Sequence, residues 1–333
     1  MSAGLEALLG VLLESAALAV VIAGGTAALA LAVTSFFAAR SPATRADVAF
    51  VAALAPAIIV LVGLATALSP SILTALGDSS ADHCPAHVHH PHLCVLHFSG
   101  LRPPAALLGA IAVAAFAVRA GAFALRRRRL AHGIACLEAL GAPAPGGAFP
   151  LVRLPGDARI CHAVGMRRRR VLVSGALADR LSTGAWAALV AHEEEHLRRR
   201  DPVALLLVEA ALLVVPPPLS GALARVFREA AERACDHGAA RVVGDGVVVA
   251  EGLIEAARIL GPRAALPGAA AAAEGALETR VRDLIDLAAP PHAPRPVFGF
   301  AAALGALALI VAVGALQRDA VHHALETLLF YLS

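Results

Sequence analysis

Four stretches of the chain are apolar for longer than a buried core helix needs. The first uncharged run, 15–39, ends at Arg40. The second, 48–77, lies between Asp47 and Asp78. The third, 103–125, is broken only by Arg119. The fourth, 296–317, is bounded by Arg295 and Arg318. A helix needs about 20 apolar residues to cross a bilayer, so four transmembrane helices are predicted. Three precede a long segment, 126–294, and one follows it, leaving a short tail, 318–333. Pro56 and Pro70 predict a kink or an early end in the second run.

Inside 126–294 the pattern changes. "RRRRLAHGIACLEALGAPAPGGA" reads as a basic helix followed by a Pro/Gly linker. "FPLVRLP", "ARICHAVG" and "RRRVLVSGAL" are short apolar runs with turn residues between them, and predict two or three strands. "STGAWAALVAHEEEHLRRRDP" predicts a helix capped by Ser182 or Thr183 and ended at Asp201-Pro202. "PVALLLVEAALLVVPPPLS" is too short to cross easily and predicts a buried or membrane-dipping helix. "LSGALARVFREAAERACDHGAARVV" and the amphipathic "EGALETRVRDLIDLAAP" predict two more helices. The expected fold is a mostly α membrane protein with an inserted α+β domain.

Composition strengthens the membrane reading. Hydrophobic residues make up 59% of the chain and charged residues 16%, against about 45–50% and about 25% in a soluble domain. The net charge of +3 is small, and the arginines cluster beside apolar runs. That placement fits membrane orientation better than a nucleic-acid surface, so no direct nucleic-acid binding is expected. Arg40 and Arg45 follow the first run, and Arg126–Arg129 follow the third. By the positive-inside rule both connections are cytoplasmic, with Arg119 snorkelling toward the same face. The N-terminus, the 78–102 loop and the tail are then outside, and 126–294 is cytoplasmic. A cleavable signal peptide is not expected, because only Glu6 and Glu14 precede or open the first run. Cys136, Cys161 and Cys235 fall on the reducing side as free thiols, while Cys84 and Cys94 share the outside loop.

The chemistry-bearing motif is His192-Glu193-Glu194-Glu195-His196, which fits H-E-x-x-H. On a helix the two histidines lie about 40° apart on one face, where two neutral imidazoles can hold one Zn²⁺. Glu193 is then the general base, Glu194 faces away, and Glu195 is a peripheral carboxylate. The plain alternative is a solvated helix laced by Glu194–Arg198 and Glu195–Arg199 pairs. A third ligand is expected in "FREAAERACDHGAA". Glu232 is the candidate, with Asp236 four residues on to support a ligand histidine and Arg228 one turn earlier; Glu229 is the rival. Asp201 is either a helix stop or a supporting partner. His237, Arg228 and Arg241 are candidate oxyanion donors, and an edge strand near "HAVGM" is a candidate rail for extended substrate.

The ordered set "ICHAVGMRRRRVLVSGALADRLSTGAWAALVAHEEEHLRRRDP", "REAAERACD" and "LETRVRDLI" resembles the BlaR/MecR-type membrane metallopeptidases, over roughly 150–287. The resemblance implies a gluzincin fold with one catalytic zinc at the cytoplasmic side of the membrane. It implies His192, His196 and Glu232 as ligands, Glu193 as base and Asp236 as support. It also implies a cytoplasmic substrate, a winged-helix repressor of the BlaI/MecI kind, cut after an external signal. The sensor members continue into a penicillin-binding domain, and this sequence has only "QRDAVHHALETLLFYLS" after the fourth run. HtpX-like quality-control proteases, with a similar motif set, are the first rival. A non-catalytic metal-sensing receptor is the second. It would centre on "DHCPAHVHHPHLCVLH", which reads otherwise as a stapled outer loop or as a metal or pH sensor feeding the protease: Cys84 and Cys94 can close a disulfide, and His87, His89, His90 and His92 can take a second metal. The lipid bilayer is an expected partner, and a second copy of the chain is a further candidate.

Overall fold

The computed structural model describes residues 3–77, 93, 102–156, 160–260, 269–287, 305, 308–309, 311–314 and 316–332. Three of its helices are long and apolar enough to cross a membrane: α1 (Ala3–Phe36), α2 (Pro42–Ala75) and α3 (Pro103–Leu140). This marks the chain as a membrane protein. Ser41 caps α2, its hydroxyl accepting from the Thr44 N–H, and Pro42 opens the first turn. Neither Pro56 nor Pro70 ends α2. Pro70 has no N–H for the Thr66 carbonyl, and the Ser69 hydroxyl donates to that oxygen instead, at 3.1 Å. The third run and the basic helix after it form one continuous element, α3. Most of the expected fourth span, 296–317, lies outside the described residues.

Small residues let these helices approach closely. Ala23, Ala27 and Ala30 of α1 meet Ala46, Ala49, Ala52 and Ala53 of α2 in one buried cluster. At Gly109 of α3 the backbone of Leu13 occupies the space a Cβ would need. The tail expected after Arg318 is a helix, α10 (Arg318–Leu332). It packs Leu325 and Leu329 against Leu18 of α1 and Ala67 of α2.

The 126–294 segment contributes a four-stranded sheet: β1 (Ala142–Ala144), β2 (Leu151–Leu154), β3 (Cys161–Val164) and β4 (Arg170–Ser174), in the order β1-β2-β4-β3. The β2–β4 pair is parallel and the other two are antiparallel. β1 lies in the stretch that reads as a Pro/Gly linker. Pro143 is tolerated there because β1 is an edge strand. Leu151, Cys161, Val171 and Val173 face Leu189, Val190 and Leu197 of α5 (Thr183–Arg199). Leu154, Val164 and Leu172 face Ile134 and Leu137 of α3.

A short α4 (Gly175–Ala178) precedes α5. Then come α6 (Asp201–Ala211), a 3₁₀ turn (Leu212–Val214), α7 (Pro217–Val243), α8 (Gly246–Leu260) and α9 (Ala269–Ile285). The sequence reading assigns no element to 246–260, whose run of three valines favours a strand by propensity. Its buried positions Val249, Gly252 and Ala256 recur at helical spacing, and Val249 and Ala250 pack with Ala188 and Leu284. The α6–α7 hairpin reaches deep among the membrane helices, with Pro216 beside Gly24 in α1. Arg119, expected to snorkel, is bound within the structure. Its guanidinium donates to the Leu212, Leu213 and Val215 carbonyls and to the Ser220 hydroxyl, closing the open carbonyl end of α6.

Candidate metal centre

The centre is built on α5. Ser182 caps it, accepting from the Ala185 N–H. Its end is unusual: Arg200 adopts a left-handed conformation, φ 62, which costs a non-glycine residue about 1–2 kcal/mol. The helix therefore stops at Arg200, and Asp201-Pro202 forms the first turn of α6 instead of the end of α5. That reversal brings the Asp201 carboxylate back onto His196, whose Nδ1 lies 2.8 Å from Oδ2.

Three ligand-type side chains converge. His192 Nε2 and His196 Nε2 are 3.2 Å apart, with ring planes at 86°. Glu232 of α7 places Oε2 3.5 Å from His192 Nε2 and Oε1 3.6 Å from His196 Nε2. Ligands held about 2.0–2.1 Å from a tetrahedral zinc stand about 3.3 Å from one another, so these spacings suit one zinc ion. Behind the rings, His196 Nδ1 hydrogen-bonds Asp201, and His192 Nδ1 lies 3.0 Å from Asp236 Oδ1, close in distance but outside hydrogen-bond geometry. A carboxylate at Nδ1 keeps the proton there and turns the Nε2 lone pair to the metal. A group of two imidazoles and one carboxylate, with a carboxylate close behind each ring, fits a zinc site.

Arg280 of α9 completes the charge balance. It donates to both oxygens of Asp236, at 2.6 and 2.7 Å, and lies 2.9 Å from Glu232 Oε2. Asp236 is 1% exposed. Burial would raise its pKa, but Arg280 and His192 outweigh that and hold the carboxyl below its usual range. Glu232 is likewise held down against its burial, by His192, Arg280 and His196. Burial disfavours the charged form of His192, and Asp236 and Glu232 overcome it, raising the metal-free ring to about 10. No motif in the sequence singles out Arg280. It lies in "LETRVRDLI", a segment of the resemblance, but nothing in that segment assigns the arginine a role.

The three glutamates of the motif are all buried. Glu193 Oε2 accepts from the Ala163 N–H of β3 at 2.7 Å. Glu194, expected to face away, is 6% exposed and accepts from the Phe149 N–H at 3.1 Å. Glu195 pairs with Arg198 and lies 3.8 Å from Arg241. The laced, solvated helix is not what forms, since Arg199 turns to Asp201 at 3.5 Å. An acidic motif centre is thereby explained: one carboxylate pins β3, one pins the entry to β2, and one meets α7.

The remaining candidates sit apart from the three ligands. Arg228 pairs with Glu209 of α6 at 3.2 Å, as does Arg127 at 2.7 Å, so it takes no part in the centre. Glu229 is exposed. His237 Nε2 is buried with no hydrogen-bond partner among the described residues. Cys235, fully buried, places Sγ 3.2 Å from His196 Nδ1 and donates to Asp201 at 3.3 Å. Burial raises its thiol well above the usual range, so it stays protonated. Cys84, Cys94, His87, His89, His90 and His92 lie outside the described residues. No family model, curated protein or solved structure matches the chain.

Proposed function

We propose that this chain is a zinc-dependent endopeptidase set at the inner face of a membrane, with its N-terminus outside and 126–294 in the cytoplasm. The observation that carries the reading is the convergence of His192 Nε2, His196 Nε2 and Glu232, with a carboxylate close behind each imidazole. A zinc ion held there supplies Lewis acidity to a water and to the scissile carbonyl. Glu193 takes the proton of the attacking water and passes it to the leaving amine. Asp236 and Asp201 keep both rings turned inward, and Arg280 keeps Glu232 ionised.

β3 is an end strand of the sheet. The Ile160 carbonyl meets β4 through Ser174, which turns the backbone groups of Cys161 and Ala163 to the outer edge, where the Ala163 N–H is already taken by Glu193 and the neighbouring groups are left for substrate. An extended substrate segment can add there and lie across Glu193. The substrate is a cytoplasmic protein, and a BlaI/MecI-type repressor is the one proposed. The test uses full-length protein in lipid nanodiscs. Wild type binds one zinc and cleaves, whereas Glu193→Gln binds zinc equally and loses at least about a thousandfold in rate. Equal cleavage by both would end the assignment. Exposure of cell extract separates a dedicated substrate, one protein cut, from quality control, many cut.

A further inference from the structure

The turn after the free edge strand is "GMRRRR", 165–170. Gly165 opens it at φ +92, and the Arg168 carbonyl occupies the space a side chain there would need. The last two arginines are tied down. Arg169 donates to the Leu197 carbonyl at 3.0 Å and stacks over Phe149, and Arg170 lies 3.4 Å from Glu138. Arg167 and Arg168 are exposed, and neither has an ion-pair partner among the described residues. The fixed neighbours therefore hold two uncompensated guanidiniums at the end of β3.

Their position relative to the centre follows from the strand. Ala163, whose N–H meets Glu193, is two residues before Gly165, about 7 Å along an extended chain. A segment lying on the β3 edge with its scissile bond at Glu193 therefore passes within side-chain reach of Arg167 and Arg168. Planar guanidiniums recognise carboxylates through paired hydrogen bonds.

We infer that Arg167 and Arg168 select substrates carrying aspartate or glutamate three to five residues from the scissile bond, on the side that leaves β3 toward its turn. This rests on the peptidase reading and names its substrate class. The same arginines could instead serve anionic lipid headgroups, and that is the outcome against which the test is set.

The experiment uses full-length protein in nanodiscs and peptides that differ only in an acidic, neutral or basic pair at those positions. Binding is measured on zinc-loaded Glu193→Gln by fluorescence anisotropy, and cleavage on wild type. The acidic peptide is expected to bind and be cut about tenfold better than the neutral one. In the Arg167→Glu/Arg168→Glu double variant, which keeps its zinc, the order reverses and the basic peptide leads. Equal binding of all three peptides, or an acidic preference unchanged by the reversal, overturns the inference. So does a loss common to all peptides that appears only in discs containing anionic lipid, which assigns the pair to headgroups. Absence of cleavage by wild type alongside a clear acidic preference in binding ends the peptidase reading and leaves the recognition standing.

Discussion

The two imidazoles of the centre are held from opposite sides by different kinds of structure. His196 is supported locally: Asp201 is five residues on, placed by the left-handed Arg200, with the Cys235 thiol touching both. His192 is supported at long range: Asp236 lies 44 residues on, and Arg280 a further 44, on a helix reached only after α8. The His196 side has two groups near one nitrogen, the nearby Asp201 and Cys235 from α7, 39 residues on. The distant side has one carboxylate whose own charge depends on one arginine. A short-range support is fixed by the turn that makes it, whereas a long-range one depends on the packing of α5, α7 and α9 as a unit.

The largest expected effect is therefore at Arg280. Arg280→Met leaves the buried Asp236, and the partly exposed Glu232, without their cation. It should destabilise the metal-free protein by about 3–5 kcal/mol, read by thermal unfolding with chelator present, with zinc restoring part of the loss. An unchanged unfolding temperature would remove Arg280 from the centre. Next is Asp236→Ala, expected to weaken zinc binding toward the upper end of the 10–100-fold range for such supports, with Asp201→Ala toward the lower end, about tenfold. Competitive zinc titration ranks them, and the reverse ranking breaks the comparison.

A pH series sharpens it further. In the metal-free protein His192 has a folded pKa of about 10 against an ordinary 6.5. The charged ring then stabilises the fold fully below about 6.5, and that contribution falls away as pH rises toward about 10. Asp236 and Glu232, held low, act in the opposite sense: their contribution is present above the ordinary carboxylate range and is lost as pH falls through it. Bound zinc should abolish the alkaline decline. Unfolding temperatures across pH 5 to 10, with and without zinc, check this. The smallest effect is Cys235→Ala, about threefold or less in zinc affinity with Asp201 intact. With Asp201→Ala the two losses should exceed their sum if both groups serve His196.

What could be read in the sequence follows the same division. Apolar runs, the H-E-x-x-H pair and Glu232–Asp236 depend on spacings within one helix, and helical periodicity exposes them. Arg280 could not be read, because its role arises from α9 meeting α7 across a separation no local pattern encodes. Glu194 does bond away from the histidines, but the sheet covers that face, so it is buried on the Phe149 N–H and not solvated. β1 and α8 were hidden by their residues, a proline-rich edge strand and a valine-rich helix, where tertiary contacts override propensity.

Arg119 has a consequence for biogenesis. Its acceptors lie about a hundred residues downstream; the Leu213 carbonyl is 94 residues away. At ordinary elongation rates Arg119 is synthesised roughly 5–20 s before the α6–α7 tip exists. The guanidinium is thus installed first, as a receptor for backbone that has not yet been made. A fragment beginning after α3 would bring the hairpin to the bilayer with three carbonyls lacking their donor. The order of synthesis is part of how α7, and Glu232 on it, comes to its place against α5.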